Sequence, residues 1–361
     1  MISHTYSKSH VQSSQEVQRI SEDIILKRVL PHLESLANHT EGVEIEWTTY
    51  AITMDLISAF AFGLGNGSDF INDQEAGRRW FSSYQCRLPY DFWQGELPSF
   101  TRLTEMLGFP VIPSWVHAVN QYFERWMVQK CKSIESSKSR NLEEGKTEER
   151  TPSLVYDQLV RSRTSKEPKD DACDPPILHL ASELFDHIAA GHHTSGITLT
   201  YLYWELSRHP DLQSLLRKEL LSLDPPITVS AGQDGIHLPS ARAIDGLPFL
   251  HALFMETLRI HSAIPGPQPR ITPAKPVSVA GSPPLHAGTR ISSQAYTLHR
   301  NADVFPDPEK WDPYRWLEAC EEKKAEMLKW FWAFGSGSRM CIGSNIAMQS
   351  KVMWRPSRHY G

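Results

Sequence analysis

The ten residues from Phe334 to Gly343 read FGSGSRMCIG and place three glycines around a single cysteine. Their pattern, F-x-x-G-x-R-x-C-x-G, fixes five positions. At average residue usage, a chain of this length matches such a pattern by chance on the order of once in ten thousand sequences. An isolated cysteine is most often a small buried apolar residue, but this pattern favours a chemical role for Cys341.

Composition excludes several classes of protein. The chain has 361 residues and a net charge of −5, with positive and negative residues intermixed, so nothing indicates a nucleic-acid partner. Its cysteines are widely separated and form no CxxC pair, which argues against a disulfide framework or a zinc site and favours a reducing compartment. They are Cys86, Cys131, Cys173, Cys320 and Cys341.

The sequence shows no uninterrupted apolar stretch of the roughly 18 residues that a membrane span needs. The nearest stretch, Ala51–Leu64, contains Asp55. The residues after Met1, ISHTYSKSH, are polar and indicate neither a signal peptide nor an N-terminal anchor. The chain as given is therefore predicted to be cytoplasmic or peripherally membrane-bound.

Apolar residues at helical spacing predict a mostly helical chain with a small β-region. The longest apolar segment has apolar residues on too many faces for a surface helix and is expected to cross the core. Polar residues 135–153 and 161–176 are predicted to be surface loops between helices. Helices are predicted over Val17–Leu36, Trp47–Leu64, Val116–Ile134, Ile177–Arg208, Leu212–Leu223 and Leu247–His261, and the β-region over Ile271–Ser293.

The cysteine pattern resembles the haem-binding signature of cytochrome P450 monooxygenases. The resemblance implies the cytochrome P450 fold, mainly α with a minor β-region, and haem b (iron protoporphyrin IX) as the cofactor. It further implies that Cys341 is the iron ligand, that Phe334 shelters the sulfur and that Arg339 pairs with a haem propionate. The signature is matched at Phe334, Gly337, Arg339, Cys341 and Gly343.

The residue types suit this chemistry. A thiolate ligand pushes electron density onto haem iron and so favours O–O cleavage. Glycines let the backbone turn tightly and aim N–H groups at the sulfur, and a helix that begins just after Cys341 adds the positive end of its dipole. Such surrounding hydrogen bonds and apolar cover tune the potential of the iron.

Glu256 and Arg259 are three residues apart on a predicted helix, so their side chains can touch. Alone, such a pair is usually a solvated surface pair, but its apolar neighbours indicate a buried setting in which each charge needs partners. The segment FPDPEKWDPYRW, Phe305–Trp316, resembles the family segment whose arginine completes a Glu-Arg-Arg network. The resemblance places Arg315 beside Glu256 and Arg259, in a structural and not a catalytic role.

Two further residues fall where family members often contact the haem propionates. They are Arg270, which follows PGPQP, and His299, in YTLHRN. For His299, a surface or core histidine is an equally good interpretation.

The sequence AGHHTS, Ala190–Ser195, resembles the family's A/G-G-x-D/E-T segment, where the long helix opens locally over the haem. By this resemblance Gly191 leaves space for dioxygen and the Thr194 hydroxyl relays protons. Thr194 is equally well read as an ordinary threonine bonded back to its own helix. His193 departs from the family, which usually carries an acid there to gate proton delivery, whereas an imidazole titrates near neutrality.

The resemblance covers nearly the whole chain, from roughly the helix before Gln12 to about Gln349, and implies that residues 1–361 form a single partial cytochrome P450 domain. Family members are longer, so a membrane anchor and the first helices and sheet are expected to precede Met1. After Gln349 the apolar periodicity is lost, and Pro356 interrupts any helix. Residues 350–361 are therefore expected to be an atypical tail of an incomplete fold.

Three functions are open at this point. The first is a haem-thiolate monooxygenase of secondary metabolism, which inserts one atom of O2 into an apolar small molecule with electrons from an NAD(P)H-dependent flavoprotein reductase. The family suggests the cytosolic face of the endoplasmic reticulum membrane. The second is a non-catalytic, degenerate fragment with impaired haem binding, favoured by the two ends and by His193. A third, an all-helical scaffold without haem, would make the cysteine pattern a coincidence.

Overall fold

A computed structural model describes residues 2–38, 42–143, 152–164, 176–226, 237–279 and 281–349. Within these residues the chain is mainly helical with a small sheet, which confirms the predicted fold class. The α-helices are α1 (Lys8–Ser13), α2 (Gln15–Ile24), α3 (Leu30–Ala37), α4 (Ile45–Phe62), α5 (Gln74–Glu96), α6 (Pro98–Met106), α7 (Ser114–Glu143), α8 (Leu154–Thr164), α9 (Pro176–Ser207), α10 (Pro210–Leu220), α11 (Ala241–Asp245), α12 (Pro248–Ile260), α13 (Ala295–Leu298), α14 (Tyr314–Glu318), α15 (Glu321–Trp330) and α16 (Ser344–Gln349). The strands are β1 (Pro267–Ile271) and β2 (Arg290–Gln294), a π-helical turn over Ile25–Val29 joins α2 to α3, and 3-10 turns cover Ile2–His4 and Gly337–Arg339.

The described residues form two compact units. The first contains residues 2–196 and 237–241, and the second contains residues 197–226 and 242–349, so the division falls within helix α9. None of the described helices has the length and apolar content that a bilayer crossing needs.

The sequence predicts a loop over residues 135–153, but α7 continues through the first part of it to Glu143. Serine, lysine, glutamate and arginine dominate this part, and the three long polar residues among them are good helix formers. The helix therefore continues through residues that have no apolar face to pack against the core. The rest of this segment, and most of the predicted loop at residues 161–176, lie outside the described residues.

Helix α4 lies in the core of the first unit, with fourteen of its eighteen residues buried. Among the buried residues of this helix, Asp55 carries an ionisable group, and it is fully buried. Its carboxylate accepts hydrogen bonds from the Ser68 hydroxyl at 2.6 Å and from the N–H groups of Phe70 and Ile71 at 2.8 and 3.2 Å. A buried carboxylate is costly without such partners, so Asp55 holds the segment after α4 against the helix.

Helix α9 approaches α4 closely at two glycines. A Cβ added at Gly191 would lie 2.5 Å from Cγ1 of Ile57, and one added at Gly196 would lie 2.3 Å from Cδ1 of Tyr50. Real Cβ contacts are essentially never this short. The two helices can therefore pack at this distance only because these residues lack a side chain.

We expect Gly196→Ala to lower the free energy of unfolding by about 1–3 kcal/mol, because the added methyl group overlaps the Tyr50 ring and forces a rearrangement. Gly95→Ala in α5 is the matched control, since nothing lies within 4 Å of its added Cβ. Alanine favours a helix over glycine, so the control is expected to be neutral or stabilising by up to about 1 kcal/mol. Urea denaturation followed by circular dichroism measures both, and equal midpoints would contradict the expectation.

Helix α12 lies in the core of the second unit, with eleven of its thirteen residues buried. Strands β1 and β2 pair antiparallel, with Pro267 opposite Gln294 and Ile271 opposite Arg290. An apolar cluster joins α12 to the segment that leads to the cysteine. Its members are Ala252, Met255, Val304, Phe305, Trp316 and Met327, with Trp330 and Phe331 packed against them.

Candidate functional site

The cysteine loop, Phe334–Gly343, is a closed turn in the second unit. Gly335 and Gly337 have φ angles of +68° and +72°, in the left-handed region that favours glycine. The N–H of Cys341 donates to the carbonyl of Phe334 over 2.9 Å. Two glycines in a conformation unfavourable to other residues thus return Cys341 to the start of the loop.

Backbone groups surround the thiol of Cys341. Partial burial raises the pKa of the thiol, while hydrogen bonds from the backbone N–H groups of Gly343 and Ser344 act in the opposite direction. A Cβ added at Gly343 would lie 3.8 Å from the sulfur. The residue as a whole is exposed. Cys341 is thus an exposed residue whose backbone donors offset part of the burial that disfavours a thiolate.

The side chains beside the thiol fit a large apolar cofactor that carries anionic groups. Met340 and Ile342, on either side of Cys341, are 57% and 41% exposed. Arg339 is exposed as well. Adjacent exposed apolar side chains often mark a surface that a ligand covers, and a porphyrin has an apolar ring and negatively charged propionates. The residues present in the cysteine loop therefore fit haem.

The Glu256–Arg259–Arg315 network is present in the second unit. Arg259 donates from Nε to Oε2 of Glu256 at 2.9 Å and from NH2 to Oε1 at 2.7 Å. Arg315 donates from Nε to Oε1 at 3.4 Å, and Trp316 donates from Nε1 to Oε2 at 2.9 Å. Glu256 and Arg259 have no exposed surface. The carboxylate of Glu256 is therefore satisfied inside the core, where it is not open to a substrate.

His299 does not have a nitrogen available for a propionate. It is fully buried. Its Nδ1 bonds to the carbonyl of Arg259, and its Nε2 accepts from the N–H of Trp332, each over 2.7 Å. The structure thus corrects the predicted cofactor contact and supports the alternative, a core histidine.

Arg270 lies in β1, near the cysteine loop. A Cβ added at Gly335 would lie 3.2 Å from Oε1 of Gln268, so β1 approaches the loop at that residue. Residues two apart on a strand point to the same face, and Arg270 therefore lies on the same face as Gln268. Its side chain is exposed.

The predicted residues Gly191, His193 and Thr194 lie together on α9 in the first unit. Helix α9 is continuous from Pro176 to Ser207, so the local opening implied by the family resemblance is not seen. The Thr194 hydroxyl donates to the carbonyl of Ala190 at 2.8 Å, the back-bonded arrangement. Gly191 packs against α4, so it has a reason to be glycine that is independent of dioxygen. Its role in admitting dioxygen stays a prediction.

His193 and its neighbour His192 have different surroundings. Burial lowers the pKa of His193, and its ring centroid lies 5.7 Å from that of Tyr50 and 5.4 Å from that of Tyr84. His192 is 1% exposed, and burial lowers its pKa to about 3. Its Nδ1 bonds to the carbonyl of Ile188 at 2.8 Å. His192 is therefore a neutral core residue, a role that the pattern AGHHTS does not reveal.

Comparison with known proteins gives consistent matches. The family model of cytochrome P450 matches residues 96–353. Cytochrome P450 monooxygenase avaI of Aspergillus versicolor is 26% identical over 363 residues, which cover 98% of this chain and 78% of that protein. Cytochrome P450 monooxygenase macH of Penicillium terrestre is 28% identical over 337 residues, which cover 90% of this chain and 60% of that protein.

A solved structure, that of the cytochrome P450DA heme domain, has the same fold with a TM-score of 0.64 at 15% identity. The match covers 98% of this chain and 67% of that chain. Members of the matched family bind a haem iron and use O2, a redox partner and a small-molecule substrate. Because the family model matches most of the length of this chain, the chain belongs to the cytochrome P450 family.

Proposed function

We propose that this protein is a haem-thiolate monooxygenase that binds haem b through Cys341 and inserts one atom of O2 into an apolar small molecule. The observation that carries the proposal is the exposed residue Cys341 in a loop that two glycines at positive φ and the bond from its own N–H to the carbonyl of Phe334 close.

Haem, when bound, supplies the activation of O2, and the protein supplies the ligand, the protons and the pocket. The N–H groups of Gly343 and Ser344 stabilise the negative charge on the sulfur. Phe334 is half-buried at the start of the loop and shelters the sulfur from water. The exposed guanidinium groups of Arg339 and Arg270 bind the propionates.

Proton delivery falls to residues of α9. The pKa of His193 is lowered by burial, so the imidazole is neutral at neutral pH and can accept a proton. To pass a proton onward, the Thr194 hydroxyl must turn away from the carbonyl of Ala190, to which it donates. Gly191 is the proposed position for admitting dioxygen, although its Cα side packs against Ile57 of α4.

Electrons are proposed to come from an NAD(P)H-dependent flavoprotein reductase. The relatives reported above come from Aspergillus and Penicillium and are named monooxygenases. Their source and names support a role in secondary metabolism. The family supports the cytosolic face of the endoplasmic reticulum membrane as the location.

A second candidate is a non-catalytic cytochrome P450 with impaired haem binding. Two observations favour it: a histidine at the position where the family usually carries an acid, and a Thr194 hydroxyl already bonded within its own helix. Both weaken proton delivery. This candidate still permits a haem ligand at Cys341 but predicts a weaker thiolate band and no turnover.

The reduced, CO-treated spectrum tests the proposal. Protein expressed with a haem precursor is expected to show the red-shifted Soret band of a thiolate-ligated ferrous complex. Absence of this band from folded protein would overturn the proposal. A shifted band without consumption of NADPH, in the presence of a reductase and a panel of apolar substrates, would favour the non-catalytic candidate.

A further inference from the structure

His299 connects helix α12 to the segment that enters the cysteine loop. Its Nδ1 lies 2.7 Å from the backbone oxygen of Arg259, and its Nε2 lies 2.7 Å from the backbone nitrogen of Trp332. The side chain has no exposed surface, and its ring stacks on Phe331 with centroids 5.3 Å apart. Both nitrogens are therefore used by backbone groups from two distant parts of the sequence.

These two partners determine where the ring carries its hydrogen. A backbone N–H can only donate, so Nε2 must present its lone pair to Trp332. A backbone carbonyl can only accept, so Nδ1 must carry the hydrogen that it donates to Arg259. His299 is therefore a neutral imidazole in the Nδ1–H form.

The charges around His299 agree with this assignment. Burial lowers its pKa to about 4. The nearby positive charges of Arg259 and Arg300 act in the same direction, and the hydrogen bond to the Arg259 carbonyl offsets only part of the effect. The ring therefore stays neutral over the physiological pH range.

Trp332 transmits this contact to the loop. Its N–H donates to His299, and its carbonyl accepts from the N–H of Gly335 over 3.0 Å. Phe334, two residues after Trp332, then accepts from the N–H of Cys341 over 2.9 Å. A short series of backbone hydrogen bonds thus runs from the imidazole to the residue that carries the thiol.

The opposite side of His299 is fixed equally well. The backbone carbonyl of His299 accepts from NH1 of Arg259 at 2.9 Å, and Arg259 is paired with the buried carboxylate of Glu256. The backbone that carries the imidazole is therefore held in place by a buried ion pair. A rotation that broke the bond to Trp332 would also break the bond to the Arg259 carbonyl.

We propose that His299 is a positioning residue that fixes Trp332, and with it the start of the cysteine loop, on helix α12. It acts only in the neutral Nδ1–H form, because a hydrogen on Nε2 would face the N–H of Trp332. The consequence for haem rests on the proposed function, in which Cys341 is the iron ligand. The positioning of Trp332 does not depend on haem.

Histidine ¹⁵N spectra of the full chain without haem test the ring state directly. We expect the ¹⁵N shifts of His299, assigned by the signal that is lost in His299→Asn, to show a protonated Nδ1 and a bare Nε2, unchanged between pH 5.5 and 8, a window above the pKa of about 4. An Nε2–H ring, or titration near the ordinary histidine pKa of about 6.5, would overturn the proposal.

Hydrogen exchange of peptides that cover residues 331–341 tests the consequence. His299→Asn keeps a donor near Nδ1 but removes the acceptor for Trp332, and exchange there is expected to be about tenfold faster. His299→Gln places an amide oxygen near the Nε2 position and is expected to restore much of the protection. The control, His286→Asn, alters an exposed histidine of the same unit and is expected to leave exchange unchanged.

The same variants separate this proposal from the proposed function. If the wild-type chain shows no thiolate band but His299→Asn exchanges faster, the positioning role stands and the monooxygenase assignment fails. If the wild-type chain shows the band, His299→Asn is expected to lose a larger fraction of it than His299→Gln. Equal exchange in all three variants and the wild type would overturn the positioning role, whatever the spectrum shows.

Discussion

Replacing Cys341 with alanine is expected to abolish the red-shifted Soret band of the reduced, CO-treated protein. The band needs a thiolate on the iron, and the variant has no sulfur where the N–H groups of Gly343 and Ser344 converge. The positive φ angles of the loop and its closing bond to Phe334 are backbone features that do not involve the sulfur. Circular dichroism is therefore expected to show unchanged helix content alongside the lost band.

Two further substitutions make this result specific. Cys320→Ala removes another exposed thiol of the same unit, just before α15, and is expected to keep the band at its wild-type height. Cys341→His offers the iron an imidazole and is expected to bind haem without the thiolate shift. An alanine variant that kept the shifted band would show that Cys341 is not the ligand.

The parts of this site that could be predicted from the sequence depend on local geometry. The conformation of the cysteine loop follows from glycines two residues apart, and Glu256 and Arg259 meet because residues three apart share a helix face. Arg315 lies 59 residues from Glu256 in sequence. Its place in the network could be predicted only from the resemblance to a known family.

The parts that could not be predicted depend on contacts between distant segments. His299 lies in a motif that resembles a propionate contact, but its Nε2 is taken by a backbone N–H 33 residues away. Position 191 must be a glycine because a Cβ there would overlap the side chain of Ile57, which belongs to helix α4. Apolar periodicity does not predict helix α5, because only four of its 23 residues are buried and Pro89 lies inside it.

Removing the buried carboxylate of Glu256, by Glu256→Gln, is expected to lower the free energy of unfolding more than any other substitution proposed here. It accepts hydrogen bonds from Arg259, Arg315 and Trp316, and from the N–H of Asp312 at 3.0 Å. Glu256→Gln replaces one oxygen by a donor facing other donors and leaves two guanidinium groups without a counter-charge. Breaking a buried ion pair from one side costs about 3–5 kcal/mol, a large part of the roughly 5–15 kcal/mol that stabilises a whole domain.

The effect should reach the cysteine loop as well, because Arg259 also donates to the carbonyls of Pro308 and Lys310 and so orders the chain that leads there. Glu309→Gln is the matched control, since Glu309 is 69% exposed and its ion pair with Arg300 is a surface pair worth at most about 1 kcal/mol. If Glu256→Gln does not fold, Trp316→Phe removes a single donor and is expected to cost about 2 kcal/mol. Urea midpoints measure all three variants. A Glu256→Gln protein that unfolds at the same urea concentration as Glu309→Gln would show that the buried network does not stabilise this fold.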